Sequence, residues 1–282
     1  MGFDAESMRI VSTHVQELKK AIFSNECIIA VFDILGFQAL IENNISNKRK
    51  YDELISYLMS NELLGKQVPK MLNRLNRLNR LYNRENYLID NVEKRSHILV
   101  ISDSIVSVFL LEGLDEIKKI NIIHWFINSI CSTILIQMFE YGLPLRGAIE
   151  HGECFIQERV VIGKPFINAH KKANQLEFSG AVVSNDVYNL LLGKTSNLDF
   201  DCKMTAAPLK LNPENREVCI DWYNKHKKEN DIRDFVYNSF SMHNKHVSPS
   251  VMAKLTNTEM MIRGFVLDHE KNKRENDNPQ SH

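Results

Sequence analysis

Cys27-Ile28-Ile29-Ala30-Val31-Phe32-Asp33-Ile34-Leu35-Gly36-Phe37 is the stretch on which the reading of this 282-residue chain turns. Its first six residues form an apolar run, half of it β-branched, which predicts a strand buried on both faces. Asp33 closes the run, and a helix is expected from about Gly36 to Asn43. On the residues alone Asp33 reads two ways. It is either the cap of that helix, satisfying open N–H groups, or a carboxylate presented at the end of a buried strand.

Upstream, Met8, Val11, Val15, Leu18 and Ile22 recur at helical spacing and predict a helix over 8–23. Downstream, a helix is expected over Tyr51 to Leu64. The segment MLNRLNRLNRLYNR (71–84) then repeats leucine and arginine at a period of three. A helix turns every 3.6 residues, so this leucine stripe drifts around the axis instead of forming one face. It reads as a low-complexity insertion within 65–95, or as a basic arm formed by Arg74, Arg77, Arg80 and Arg84.

His97 to Ile101 and Ser104 to Leu111 predict two strands flanking a tight turn at Ser102-Asp103. Asp115 opens a long helix that stops near Tyr141-Gly142. A strand follows over Pro144 to Gly152, with Glu153 to Val161 as its hairpin partner. Helix over Gly163 to Phe178, strand over Ala181 to Val183 and helix over Asn185 to Leu192 come next. Phe200 to Thr205 and Glu217 to Trp222 suggest a last hairpin, and the remainder reads as helix ending in a polar, disordered tail. The order implies an α+β fold, with an N-terminal helix (1–24), a catalytic-sized domain (25–223) and a C-terminal helical extension (224–282).

Composition narrows the function. Hydrophobic residues make up 44% and charged residues 25%, a globular balance that excludes a disordered or collagen-like chain. The 35 basic and 35 acidic residues cancel, so a global positive field for nucleic acid is missing. Five widely spaced cysteines without a C-x-x-C pair argue against a disulfide framework or zinc ribbon, and fit a reducing cytoplasm. The apolar stretch Ile120 to Phe139 is broken by Asn121, His124, Asn128, Ser129, Ser132 and Gln137, so a buried helix is expected there in place of a membrane span. MGFDAESMRI has no apolar signal core, and Glu6 stands where a myristoylation signal needs Ser or Thr.

Asp103 is, like Asp33, either an ordinary turn residue or a ligand. If the first strand pairs with the hairpin, the two carboxylates reach one end of the sheet. Two carboxylates there can bridge divalent ions ~3.5–4 Å apart, the arrangement that drives in-line displacement at phosphorus. The helix opening at Gly36-Phe37 offers N–H groups suited to a triphosphate. Hard oxygen ligands favour two Mg²⁺ or Mn²⁺ ions over zinc.

Phe32-Asp33-Ile34-Leu35-Gly36-Phe37, Ser102-Asp103-Ser104, Arg146-Gly147-Ala148-Ile149-Glu150-His151-Gly152-Glu153, Gly163-Lys164-Pro165 and Val183-Ser184, in that order, resemble the class III nucleotidyl cyclases over about residues 25 to 195. The resemblance implies a ferredoxin-like βαββαβ core with a central antiparallel sheet flanked by helices. It implies Asp33 and Asp103 as metal ligands, with the Ile34 carbonyl as a third. Leu35, Gly36 and Phe37 match the phosphate-binding turn, and Arg146 matches an arginine on the triphosphate, though it also reads as a plain strand arginine. The implied reaction is attack of the ribose 3′-oxygen on the α-phosphorus with pyrophosphate leaving.

The pattern departs from the purine enzymes in two places. The base-reading positions fall on Leu99 and Val160, which have no hydrogen-bonding groups to select adenine or guanine. The family's helix Asn and Arg fall on Ile167 and Lys171, or in a gapped alignment the Arg falls on Gln175. Lys171 supplies charge without bidentate geometry. A compact chain with these features is similar to the pyrimidine cyclases of bacterial anti-phage signalling (Pycsar type), which make cyclic UMP or cyclic CMP for a separate effector. The resemblance thus implies UTP or CTP as substrate and a homodimer in which one protomer brings metals and the other base contacts. It implies no membrane or nucleic-acid partner. A catalytically degenerate nucleotide-binding or dimerisation module, and nucleic-acid binding through the 71–84 arginines, are the competing readings.

Overall fold

The computed structural model describes residues 22–47, 49–50, 52–53, 56, 92–157, 160–192, 202–206, 216–223 and 231–277. Strand β1 (Ile22–Ile34) is followed by α1 (Phe37–Asn44), a short α2 (Val92–Arg95), and the hairpin of β2 (Ser96–Ile101) and β3 (Ser104–Leu110). A long helical run comes next as α3 (Glu116–Trp125), a π-helical turn (Phe126–Cys131) and α4 (Ser132–Glu140). Then follow β4 (Leu145–Gln157), β5 (Val160–Ile162), α5 (Lys164–Ala173), β6 (Gly180–Val183) and α6 (Asn185–Leu191). The chain continues through β7 (Cys202–Ala206) and β8 (Arg216–Ile220) to α7 (Ile232–Ser241) and α8 (Pro249–Asp277).

The sheet runs β2-β3-β1-β4-β6-β8-β7, with β5 beside β4. Its first four strands pair antiparallel, as a βαββαβ core requires, while β4 and β6 pair parallel, so the whole sheet is mixed. The α+β class expected from element order is the class observed.

β1 is central because it is apolar on both sides. Ile28, Ala30, Phe32 and Ile34 enter one core with α3, the π turn, α4 and α7; Cys27, Ile29 and Val31 enter a second core with α5 and α8. Each fully buried Ile or Phe contributes roughly 1.5–3 kcal/mol. Gly147 lies opposite Phe32 and carries the edge of its ring: a Cβ there would stand 2.4 Å from Phe32 Cδ1 and 2.8 Å from the Val31 carbonyl. The helix Glu116–Glu140 is long and apolar enough to cross a membrane, and 72% of its most apolar window is buried inside the protein.

Several expectations are corrected. β4 runs unbroken to Gln157, and its hairpin partner is only Val160–Ile162, because residues 154–156 continue pairing with β1 past a bulge between Ser24 and Cys27. Ile22 and Phe23, expected at the end of a helix, belong to β1; the rest of that helix lies outside the described residues, as do most of 51–64 and the whole 71–84 repeat. The polar tail is helical to Asp277, where long side chains favour helix and Arg274 reaches Glu270 at i,i+4. Helix α5 stops at Ala173, well short of Phe178.

Candidate active site

The antiparallel register decides where the acids meet. Asp33 is paired with Ser104 on one side and Arg146 on the other, so the Ser102-Asp103 turn sits beside the end of β1. Ser102 takes a left-handed conformation (φ 56°), which closes β2 onto β3 in two residues. The Ile34 N–H donates to the Asp103 carbonyl (2.9 Å), tying the turn to the strand end. Asp33 and Asp103 are thereby close enough to interact by charge. Burial pushes the Asp33 carboxyl above its ordinary range, Arg146 opposes this, and Asp103 adds to it.

Arg146 reaches across from β4. Its Nε and Nη2 donate to Asp33 Oδ2 at 2.9 and 2.7 Å. Nη2 and Nη1 also donate to Asn174, at Oδ1 (2.7 Å) and the backbone oxygen (3.3 Å). Both charged side chains are mostly shielded, at 13% and 12% exposure. Arg146, expected on a triphosphate, is here the partner of Asp33.

The glycine turn opens α1 as expected. Gly36 is left-handed (φ 76°), a conformation that suits glycine, and no side chain caps the helix. The first N–H groups of a helix lack intrahelical acceptors, so Gly36 and Phe37 present donors at this end. Leu35 does not: its N–H donates to the Pro144 carbonyl at 2.9 Å and its side chain is buried, which removes it from the phosphate-binding set. Asp33 is likewise no helix cap, since it stays in the strand and Gly36 occupies the cap position.

A C-terminal segment braces the turn, and nothing in the sequence pattern had pointed to it. Asn43 and Asn44 of α1 donate to the carbonyls of Asn244 and His243 (2.9 and 2.8 Å). Lys245, nearly buried, donates to the carbonyls of Gly142 and Ser239 (2.6 and 3.0 Å). Burial lowers its amine to about 7. Its stem passes beneath Gly36, where an added Cβ would meet Lys245 Cδ at 3.8 Å.

The remaining expected residues are not gathered here. Lys171 is exposed on α5. Leu99 packs against the second apolar core. Val160, 49% exposed, pairs with Gln157 at the far end of β4, roughly 35 Å from Arg146 at ~3.3 Å per residue. Polar groups lie instead around a cavity of about 370 Å³ lined by Ala148, Glu150, Asn168, Lys172, Ser184 and Glu217, among others. Lys172 and Glu217 form a close ion pair on its wall. Burial raises the Glu150 carboxyl, with Ser184 and Lys172 easing that shift and Asp186 and Glu217 adding to it.

Asp33, Asp103 and the Ile34 carbonyl are the groups that would hold a hard divalent ion here. Two carboxylates and a carbonyl would leave such an ion positions for water and phosphate, as Mg²⁺ or Mn²⁺ usually keeps. Among the described residues there is no group of three or more His, Cys, Asp or Glu suited to a metal.

No family model matches the sequence, and no curated protein matches it. Solved structures similar to this chain include the catalytic core of a rhodopsin-guanylyl cyclase with converted specificity, in complex with ATPαS (TM-score 0.34, 11% identity, covering 72% of this chain and 98% of that one). Also similar are the adenylyl cyclase CyaB from P. aeruginosa (TM-score 0.32, 15% identity, 71% and 94% covered) and the guanylyl cyclase Cya2 (TM-score 0.31, 11% identity, 72% and 92% covered).

Proposed function

We propose that this protein is a metal-dependent nucleotidyl cyclase that converts UTP to cyclic UMP and pyrophosphate, with CTP as the alternative substrate. The observation that carries the reading is the convergence of Asp33 and Asp103 beside the open helix end at Gly36-Phe37. Asp33, Asp103 and the Ile34 carbonyl hold two divalent ions. When bound, such ions acidify the ribose 3′-hydroxyl and neutralise the departing pyrophosphate. Gly36 and Phe37 N–H groups orient the phosphates, and Arg146 supplies positive charge beside them.

The pyrimidine assignment rests on Leu99 and Val160, neither of which offers a hydrogen bond to a purine edge. Glu150, Asn168 and Ser184 line the neighbouring cavity and offer polar groups to the substrate's base there. The distance of Val160 from the carboxylates supports a site completed by a second protomer, hence a homodimer. By the same resemblance, the product is a cytoplasmic second messenger of anti-phage defence, read by a separate effector.

The test is incubation of the full-length protein with each of four nucleoside triphosphates and Mn²⁺, with products separated and weighed by chromatography and mass spectrometry. Cyclic UMP from UTP, abolished by Asp33→Ala, is expected. Product from ATP or GTP alone would overturn the pyrimidine assignment. A second reading, a catalytically silent nucleotide-binding module, is favoured by the Arg146–Asp33 pair. It requires no turnover of any triphosphate and no effect of Asp33→Ala.

A further inference from the structure

Arg146 spends four hydrogen bonds beside a carboxylate proposed above to hold a metal ion. Two go to a single oxygen, Asp33 Oδ2, and two go to Asn174, the residue that closes α5. Asn174 is set for this task at both ends of its amide. Its Nδ2 faces the His170 ring (3.4 Å), which turns Oδ1 toward the guanidinium. Asn174 therefore gives Arg146 a fixed anchor on a different element from the strand that carries it.

A planar guanidinium with forked donors fits such a two-sided grip; a lysine ammonium has no such fork. Charge-assisted bonds of this kind are among the stronger hydrogen bonds a protein makes. A divalent ion held between Asp33 and Asp103 would draw on this same carboxylate. Competition for the carboxylate follows, because Oδ2 already accepts two N–H groups from a neighbouring positive charge.

We propose that Asn174 is a positioning residue that keeps Arg146 in place as the resident counter-ion of Asp33, so that Arg146 and the metal compete for the Asp33 carboxylate. On metal entry the guanidinium releases Oδ2 but stays tethered to Asn174, which keeps it within reach of the incoming phosphates. The competition rests on the Arg146–Asp33 geometry and on the metal site proposed above; the handover to phosphate rests in addition on the cyclase reading.

The test is Mn²⁺ binding to the full-length, nucleotide-free protein, followed by electron paramagnetic resonance, for wild type, Arg146→Gln and Asn174→Ala. Removing the competitor in Arg146→Gln should tighten Mn²⁺ about tenfold. Loosening its anchor in Asn174→Ala should tighten it about threefold. A merely structural role for either residue would lower the melting temperature without tightening the metal. Mn²⁺ affinity unchanged or weaker in both variants, or no Mn²⁺ binding by any form, overturns the proposal. Asn174 is only half-buried at a helix end, so Asn174→Ala carries the test if Arg146→Gln does not fold. Tighter Mn²⁺ without turnover of any triphosphate would leave the competition standing and remove the cyclase reading.

Discussion

Gly147→Ala is the smallest change that reaches both the core and the site. An added Cβ would lie 2.4 Å from Phe32 Cδ1, 2.9 Å from Phe32 Cε1 and 2.8 Å from the Val31 carbonyl. Carbon pairs prefer ~3.5–4 Å, so about 1 Å of relief is needed. Phe32 is completely buried and has no free space into which to turn, so β1 and β4 must part. Overpacking of this kind costs up to ~3 kcal/mol, against a total stability of roughly 5–15 kcal/mol. For a chain of this size the melting temperature should fall by roughly 6–12 °C. Phe32 adjoins Asp33 and Gly147 adjoins Arg146, so the same strand separation displaces the acid from its partner. A displacement near 1 Å should lower the proposed cyclase turnover on the order of 10²-fold. Urea and thermal unfolding measure the first effect, and initial rates with Mn²⁺ and UTP the second. A variant within ~0.5 kcal/mol of wild type and with wild-type turnover would refute the packing argument.

Two further outcomes follow from buried ionisable groups. Lys245 has its amine lowered to about 7 by burial, so the unfolded chain binds the extra proton between pH 7 and the ordinary lysine value near 10.5. Wild-type stability should therefore rise with pH across that window relative to Lys245→Met, with a slope of up to ~1.4 kcal/mol per pH unit; parallel curves would exclude it. Glu150 has its carboxyl raised, so the folded protein holds that proton longer and wild type loses stability as pH rises from the ordinary carboxylate value through the folded one. Glu150→Gln should abolish this loss in pH-dependent melting, and should raise the KM for UTP if the cavity receives the base. A variant relatively less stable at pH 8 than at pH 4.5 would contradict the sign.

What was legible from the chain was local. The run Cys27 to Phe32 announces a buried strand because its apolar side chains leave neither face for water. Asp115 announces a helix start because its side chain accepts the Lys118 N–H, and the Ser102-Asp103 turn is short enough to be read from its flanking strands. Even the meeting of Asp33 with Asp103 could be anticipated, since a strand end and a hairpin tip have few ways to pair.

The rest depended on partners far apart along the chain, which no spacing rule encodes. The grip of Arg146 on Asp33 joins residues 113 positions apart, and Asn174 looked no more than the residue beside a gapped alignment. Lys245 beneath Gly36 and Lys172 against Glu217 are contacts of the same sort. Leu35 sat within a motif that promised a phosphate contact until the Pro144 carbonyl took its N–H. Sequence alone determined which residue types stood ready at the ends of which elements, because secondary structure answers to nearby side chains. Tertiary structure alone decided which of those groups were already spent on one another, because hydrogen bonds and charges settle on whatever the fold brings within about 3 Å.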